Sequence, residues 1–419
     1  MSSGGSDSGN SPFAWLGLLK WSLAYTDGTS SDPSNAPLPM SEEDRTFLEK
    51  VMAEGIVDEG ERMKSILKDL TDGLEVMMMV GTGSSIDDAD SAEEKVKEVG
   101  DDDMVELLEE LRYIVEQIDY ARAFMALGGI PFLLGLATHI NDGVAVTNCL
   151  PKLIRRGALK TMSTMCQNNP PVQLCLLENG HIPQLIKLFI EYTPGGGRDG
   201  RNSGDDDIRA DVIQALSASV REHSMAEQIF CMNEEAKVML ELGLGMKQII
   251  AGRDSTKKYP KPSVQLRKRS SFLLRALLTS DDANDERHTV FEDIIVYVCT
   301  REIDDEWEDD AEIREISLAM ISRLLSMRLN GKQSGGEGWT SALTIILRHK
   351  NNITSIVARR IQHINALEEG SEEKENATIE LDELETLMVA LDDAGRNNFD
   401  ENDATPSPAP APPLALCNS

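Results

Sequence analysis

Four segments decide the fold of this 419-residue chain: IRRGALKTMSTMCQN from Ile154, IRADVIQALSASVREH from Ile208, LRKRSSFLLRALLTSD from Leu266 and IREISLAMISRLLSMR from Ile313. Each opens on isoleucine or leucine followed by arginine. Each then places apolar residues at steps of three and four, as in Ile208, Val212, Leu216 and Val220, which is the period of a helix with one buried face. The openings are 54, 58 and 47 residues apart, so the four segments read as one helix of a repeated unit.

A second phrase recurs beside them. LLENGHIPQLIKLF from Leu176 echoes MALGGIPFLLGLA from Met125 and, more faintly, LELGLGMKQIIAG from Leu240. Each is an apolar helix end, a glycine breaker and a new helix. Units of roughly 40–47 residues made of two or three helices are the pattern of armadillo and HEAT arrays. The surplus length falls in loops: TPGGGRDGRNSGDDD from Thr193, GRDSTKKYPKPS from Gly252 and NGKQSGGEG from Asn330. Upstream, DDDMVELLEELRYIVEQIDYARAF from Asp101 starts the array. Before it, MSEEDRTFLEKVMAE from Met40, with Ser41 as N-cap, and DEGERMKSILKDL from Asp58 read as helical capping elements.

The expected fold is therefore all-α, an armadillo/HEAT-like right-handed superhelical solenoid with a helical N-terminal cap and disordered tails. The expected division is 1–40 as a flexible segment and linker, 41–100 as a helical cap with an acidic linker, 101–367 as the repeat domain and 368–419 as an acidic, Pro/Ala-rich tail. The tail and linker assignments rest on composition: Met1 to Ser11, Thr26 to Pro39, GTGSSIDDADSAEEK from Gly81 and PSPAPAPP from Pro406 cannot bury enough apolar surface to offset chain entropy.

Charge narrows the function. Lysine plus arginine number 41 against 72 acidic residues, a net charge of −31, which argues against a nucleic-acid coat or a binder of anionic membranes. The six cysteines (Cys149, Cys166, Cys175, Cys231, Cys299, Cys417) form no CxxC pair, so neither a disulfide framework nor a zinc module is expected. PFAWLGLLKWSLA from Pro12 lacks the preceding positive charge of a secretory signal and is broken by Lys20. The longest stretch free of Asp, Glu, Lys and Arg, Ala123 to Asn141, is broken by Gly128-Gly129, so no membrane span is expected. A soluble cytoplasmic protein is expected.

Reactive constellations are missing from the sequence. The six histidines form no HxxxH or HExxH pair, GTGSS lacks the lysine of a phosphate loop, and the acidic runs at Asp205 and Asp304 lack calcium-ligand spacing. No catalytic residue, metal or cofactor is expected. One local exception to the negative charge is Lys257 to Arg275, which holds Lys257, Lys258, Lys261, Arg267, Lys268, Arg269 and Arg275. It reads either as a solvated helix start or, opening an inner helix of the solenoid, as a patch that selects an acidic protein surface.

These residues resemble a family. LLKWSLAYTDG at Leu18, MSEEDRTFLEKVMAE with DEGERMKSILKDL, VEQIDYARAFMALGGIPFLLGL at Val115, QNNPPVQLCLLENGHIP at Gln167 and IRADVIQALSASVREH are together similar to the cytosolic armadillo-type nucleotide exchange factors of seventy-kilodalton heat-shock chaperones. That is the Fes-type, heat-shock-protein-binding-protein family, and the likeness is greatest to plant and algal members. It runs from about Leu18 to about Met327. The resemblance implies a co-chaperone that grips the chaperone's ATPase domain on its concave face and promotes ADP release, without chemistry of its own and as a monomer.

The same resemblance places chaperone contacts at Ala121, at Gln167, Asn168 and Asn169, at Arg221 and His223, and at Arg267, Lys268 and Arg269. Arg221 and Arg269 are the stronger candidates. Packing and helix capping compete as roles for Ala121 and the asparagines. In the N-terminal segment Leu18, Leu19, Trp21 and Leu23 resemble a release element that competes for the chaperone's peptide site. A different armadillo adaptor, for nuclear transport or ubiquitin ligation, is the alternative. It is disfavoured because Trp15, Trp21, Trp307 and Trp339 fall outside the repeated helices.

Overall fold

Three of the arginines that open the four repeated segments turn out to lock their helix to the loop before it, and the fourth, Arg209, ties its helix, Asp206–Val220, to a later one, Glu234–Leu244. In the computed structural model, which describes residues 58–81, 100–138, 150–194, 204–246, 261–330 and 341–402, no strand occurs among the described residues. Arg155 donates to the Leu150 carbonyl through Nε at 2.9 Å and Nη2 at 2.7 Å. Arg267 reaches the Pro262 carbonyl at 2.7 Å and Arg314 that of Glu308 at 2.8 Å. Arg209 reaches Asp206 at 2.8 Å and the Leu242 carbonyl at 3.2 Å. All four are buried, and so are Ile154, Ile208, Leu266 and Ile313 ahead of them. A buried guanidinium is costly unless its donors are met, and these acceptors meet most of them, leaving the Nε of Arg209 and of Arg267 without a partner.

The chain divides into two units, Met1–Thr71 and Asp72–Ser419. The first contributes the start of α1 (Glu59–Gly81), whose Met63, Ile66 and Leu70 are buried at helical spacing. Asp58 caps it, accepting from the Gly60 and Glu61 amides at 3.0 and 3.1 Å. The expected element from Met40 and the segment with Leu18, Leu19, Trp21 and Leu23 lie outside the described residues.

The second unit begins with α2 (Asp101–Ile114), α3 (Ile118–Ala126), α4 (Gly129–Thr138) and α5 (Lys152–Cys166). Then come α6 (Pro170–Glu178), α7 (His181–Glu191), α8 (Asp206–Val220), α9 (Ser224–Met232), α10 (Glu234–Leu244) and α11 (Val264–Thr279). It continues through α12 (Asp285–Val290), α13 (Glu292–Tyr297), α14 (Ala311–Asn330), α15 (Ser341–Arg348), α16 (Lys350–Ala366), α17 (Glu372–Asn376) and α18 (Thr378–Asn402). The four arginine-opened segments are α5, α8, α11 and α14, and they pack consecutively, as the repeat predicts. The ladder extends from α2 on α5 to α14 on α18. Helices α4, α7 and α10 pack behind α5, α8 and α11. The glycine breakers act as read: Gly128 and Gly180 adopt φ +83° and +68°, where a side chain would be strained.

Across the ladder one carboxylate joins three helices. Asp211 in α8, with its side chain fully buried, accepts Arg156 Nε of α5 at 2.6 Å and Arg269 Nη1 of α11 at 2.7 Å. Burial works against the Arg156 charge, but the bond to Asp211 and nearby Asp207 carry it above its ordinary range. Lys152 adds Asp205 at 2.9 Å and Asp207 at 2.8 Å beside it.

The expected acidic tail from residue 368 is corrected by the structure. Leu384, Leu387 and Leu391 of α18 are buried, and Glu380 is held by Arg314 of α14 at 2.8 Å and Arg360 of α16 at 2.8 Å. An acidic helix therefore closes the array. Its apolar residues at steps of three and four pack, while Asp382, Glu385, Asp392 and Asp393 stay exposed. The loop DDEWEDD is likewise a brace: Asp304 and Asp305 pair with Arg359, Glu308 with Arg267 at 2.8 Å, and Asp310 with Lys268 at 3.2 Å.

A π-helical turn, Val298–Glu302, follows α13 and turns Glu302 into the core between Ser271 of α11 and Ser317 of α14, at 3.4 and 2.8 Å. Burial pushes its carboxyl up to about 7, with Glu308 adding to the rise and Arg267 opposing it.

Two outcomes follow for stability. Asp211→Asn leaves Arg156 and Arg269 facing a neutral amide. Breaking a buried pair costs about 3–5 kcal/mol; both guanidiniums reach some solvent, so about 2–4 kcal/mol is expected in denaturant unfolding, and a loss under about 1 kcal/mol would refute the staple. For Glu302 the folded state holds its proton more tightly than the unfolded chain between pH 4.5 and about 7. Its contribution to stability therefore falls as pH rises through that window. Glu302→Gln is expected to raise the melting temperature at pH 8, by a gain on the order of 1–3 kcal/mol, and to flatten the pH profile between 4.5 and 7.

Candidate functional site

The solvent side of the ladder is divided along the helix axes. Toward the helix N-termini, cations and acids neutralise one another: Lys152 with Asp205 and Asp207, Arg156 and Arg269 with Asp211, Lys268 with Asp310 and Glu312, Lys261 with Glu308. Bonding to Glu312 and Asp310 raises the Lys268 ammonium above its usual range despite burial.

Toward the C-termini the acids stop. Helices α5 and α11 contain none at all, α8 has none after Asp211, and α14 has none after Glu315. Acids resume only past the helix ends, at Glu222 and Asp281. Lys160, Arg221, Arg275 and Arg323 stand there at least partly exposed, and none forms an ion pair with a described residue. Part of this placement is local, because cations near helix C-termini are favoured by the dipole. Four neighbouring helices sharing it nonetheless give a positive strip on a chain of net charge −31.

The strip has an aromatic centre. Phe272 of α11 is 42% exposed, and the Arg221 guanidinium lies over its ring with 4.7 Å to the centroid. Arg221 ends α8, and its carbonyl accepts Gln173 Nε2 of α6 at 3.0 Å.

The residues named from sequence fall into three groups. Gln167 and Asn168 are exposed where α5 ends, and Arg221 and His223 occupy the corresponding turn after α8. The two turns share a geometry: Asn168 and Glu222 adopt φ +52° and +61°. His223 Nδ1 accepts the Ala226 amide at 3.2 Å, so it caps α9. Ala121 and Asn169 are buried. Asn169 Oδ1 accepts Arg122 Nε of α3 at 3.3 Å, while its Nδ2 has no partner. In the third group, Arg267 is buried on Glu308, Lys268 pairs with Asp310 and Glu312, and Arg269 pairs with Asp211. The basic segment around Arg267 is thus largely neutralised from within.

Phe272 and Arg323 were not singled out in the sequence. Phe272 sits inside an apolar run that reads as core, and only the register of Leu266, Leu273 and Leu277 shows that it faces away from them. No cluster of His, Cys, Asp or Glu among the described residues is arranged to hold a metal ion. Burial pushes the thiols of Cys166, Cys231 and Cys299 up to about 12, so these side chains stay protonated and unreactive. Among the described residues no single helix is long and apolar enough to cross a membrane.

Comparison with known proteins gives three findings. Residues 16–124 match the family described as "Nucleotide exchange factor Fes1". The chain is 28% identical over 265 residues to Hsp70-binding protein 1 of Homo sapiens, covering 62% of this chain and 59% of that protein. The likeness to the Rattus norvegicus protein of the same name has the same extent. The chain thus spans less than two thirds of the length of these relatives. A crystal structure of an engineered protein aligns with a TM-score of 0.43 at 12% identity, covering 71% of this chain and 94% of that one. Over residues 16–124 the chain is similar to the Fes1 description, and over 265 residues it is similar to the Hsp70-binding proteins.

Proposed function

We propose that the protein is a nucleotide exchange factor of a cytosolic 70-kDa heat-shock chaperone. In this reading it binds the chaperone's ATPase domain on the exposed side of the helix ladder and promotes ADP release. The observation that carries it is the acid-free strip with Lys160, Arg221, Arg275 and Arg323 on so acidic a chain, together with the match to the Fes1 family. A positive strip in a negative molecule suits an acidic protein surface and rejects basic ones. The concave face, the contacts at Gln167, Asn168, Arg221 and His223, the cytoplasmic location and a monomeric state belong to the same proposal.

The mechanism needs no catalytic group, and the protein acts as a binding accessory. If the exchange factor prefers the ATPase domain in a conformation that holds ADP weakly, then ADP weakens the factor's binding by the same factor. ATP, which favours another conformation, displaces the factor and completes the cycle. The ladder's part is rigidity. Staples such as Asp211 let the solenoid impose its shape on the partner instead of yielding to it.

In this reading the sequence-named cations divide by task. Arg221 is free of ion pairs with described residues and able to meet a carboxylate, whereas Arg269 and Arg267 hold the ladder together. In an assay of labelled ADP release from the chaperone ATPase domain, Arg221→Glu is expected to weaken binding by about 2–4 kcal/mol. That is roughly 30- to several-hundred-fold, at an unchanged melting temperature. Arg269→Glu, set against the buried Asp211, is expected to lower the melting temperature instead. Full exchange activity by Arg221→Glu would remove that residue from the interface, and no stimulation of release by the wild type would refute the function.

The segment with Leu18, Leu19, Trp21 and Leu23 is proposed to assist client release. Deleting residues 1–27 is expected to keep ADP release within about twofold while slowing the discharge of a bound client peptide. Equal discharge by the full and truncated chains would defeat this role.

A further inference from the structure

Phe272 is exposed on a helix whose leucines are not, Val264 at its first turn being the other exposed apolar residue. Leu266, Leu273, Leu274, Leu277 and Leu278 are all buried to 0% exposure. A single exposed apolar side chain is ordinary, but the surroundings of this ring are not. Arg221, from the neighbouring ladder helix, covers one face at 4.7 Å, and Arg275 follows one turn later on the same helix. Half-buried alanines stand on the same halves of three of the ladder helices: Ala218 on α8, Ala276 on α11 and Ala319 on α14. No acidic residue lies on this half of the four helices. The result is an exposed ring flanked by arginines on an acid-free half of the ladder that also carries half-buried alanines.

The arrangement is also set in advance. Arg221 is the C-cap of α8, its N–H donates to Ser217 O at 3.1 Å, and its carbonyl accepts the buried Gln173 amide at 3.0 Å. Binding therefore orders few groups anew, which lowers its entropic cost. Aromatic and arginine side chains in such settings are the residue types that dominate interface energetics.

We propose that Phe272 is the apolar anchor of the partner interface, and that the surface it fits is an acidic one presenting an apolar side chain between carboxylates. The apolar group covers the open face of the ring, while the carboxylates meet Arg221 and Arg275. This rests on the reading that the ladder's positive strip is the chaperone-binding face. It adds that affinity has two separable parts: a charge part that salt weakens and an apolar part that it leaves intact.

The test is a binding titration of the full-length chain against the chaperone ATPase domain at low and at high salt, with thermal unfolding alongside. The variants are Phe272→Ala, Phe272→Leu and Arg221→Gln. Phe272→Ala is expected to lose about 30-fold or more in affinity at both salt levels, on the scale of an interface hot spot, at an unchanged melting temperature. Phe272→Leu, which keeps an apolar group but no ring face, is expected to stay within a few-fold of wild type. Arg221→Gln is expected to weaken binding mainly at low salt. If Phe272→Leu loses as much as Phe272→Ala, the ring only positions Arg221 and the anchor is overturned. Binding by Phe272→Ala equal to wild type overturns it as well, while leaving the exchange function standing. Absence of binding by the wild type overturns that function and the anchor with it.

Discussion

The Asp211 carboxylate is the constraint on which the rest of the ladder depends. It is fully buried, and it is matched by two guanidiniums contributed by helices 55 and 58 residues away in sequence. A buried charge that loses its partners is costly, so α5, α8 and α11 cannot slide past one another without exposing that cost. Apolar packing alone fixes helix positions less sharply, because aliphatic surfaces tolerate repacking. The interhelix register of the central repeats is in this sense electrostatic, while their adhesion is hydrophobic.

This constraint also settles where positive charge remains for recognition. The acids that hold the ladder are concentrated at helix starts and in the loops before them: Asp205, Asp206 and Asp207 before and in α8, Asp304 to Asp310 before α14. Together with Asp211 in the second turn of α8 they consume Lys152, Arg156, Arg267, Lys268 and Arg269. Cations further along the helices have no acid within reach and stay available. Paired and unpaired cations are thus sorted by position along the helix and not by residue type.

That sorting explains what the sequence could and could not show. The Ile-Arg phrase and its apolar period were enough to place four adjacent helices, because helical spacing depends only on local order. The role of the arginine was not legible: a basic residue at a helix start reads as a surface group, and the carbonyls that bury Arg155, Arg267 and Arg314 belong to loop geometry. The cluster from Arg267 to Arg269 looked like the richest binding patch for the same reason, since its acidic partners, Asp211, Glu308 and Asp310, lie 41 to 58 residues away. Residues 378–391 read as tail because acid content dominates their composition, although Leu384, Leu387 and Leu391 already carry a helical period. Arg221 was legible as a contact candidate. The Phe272 ring that supports it was hidden within an apolar run.

In the proposed complex a molecule of net charge −31 approaches an acidic surface, and its positive strip works only at short range. At physiological ionic strength the screening length is about 8 Å, so most of the acidic bulk is not felt by the partner until the surfaces nearly touch. Association of this kind gains little from steering, and affinity then rests on desolvated contacts at the strip, which act through the dissociation rate. For the proposed exchange factor, which would bind and then be displaced by a nucleotide in each cycle, this is a workable division. A small set of contacts carries the affinity, so a modest conformational change that separates only those contacts is enough to release it.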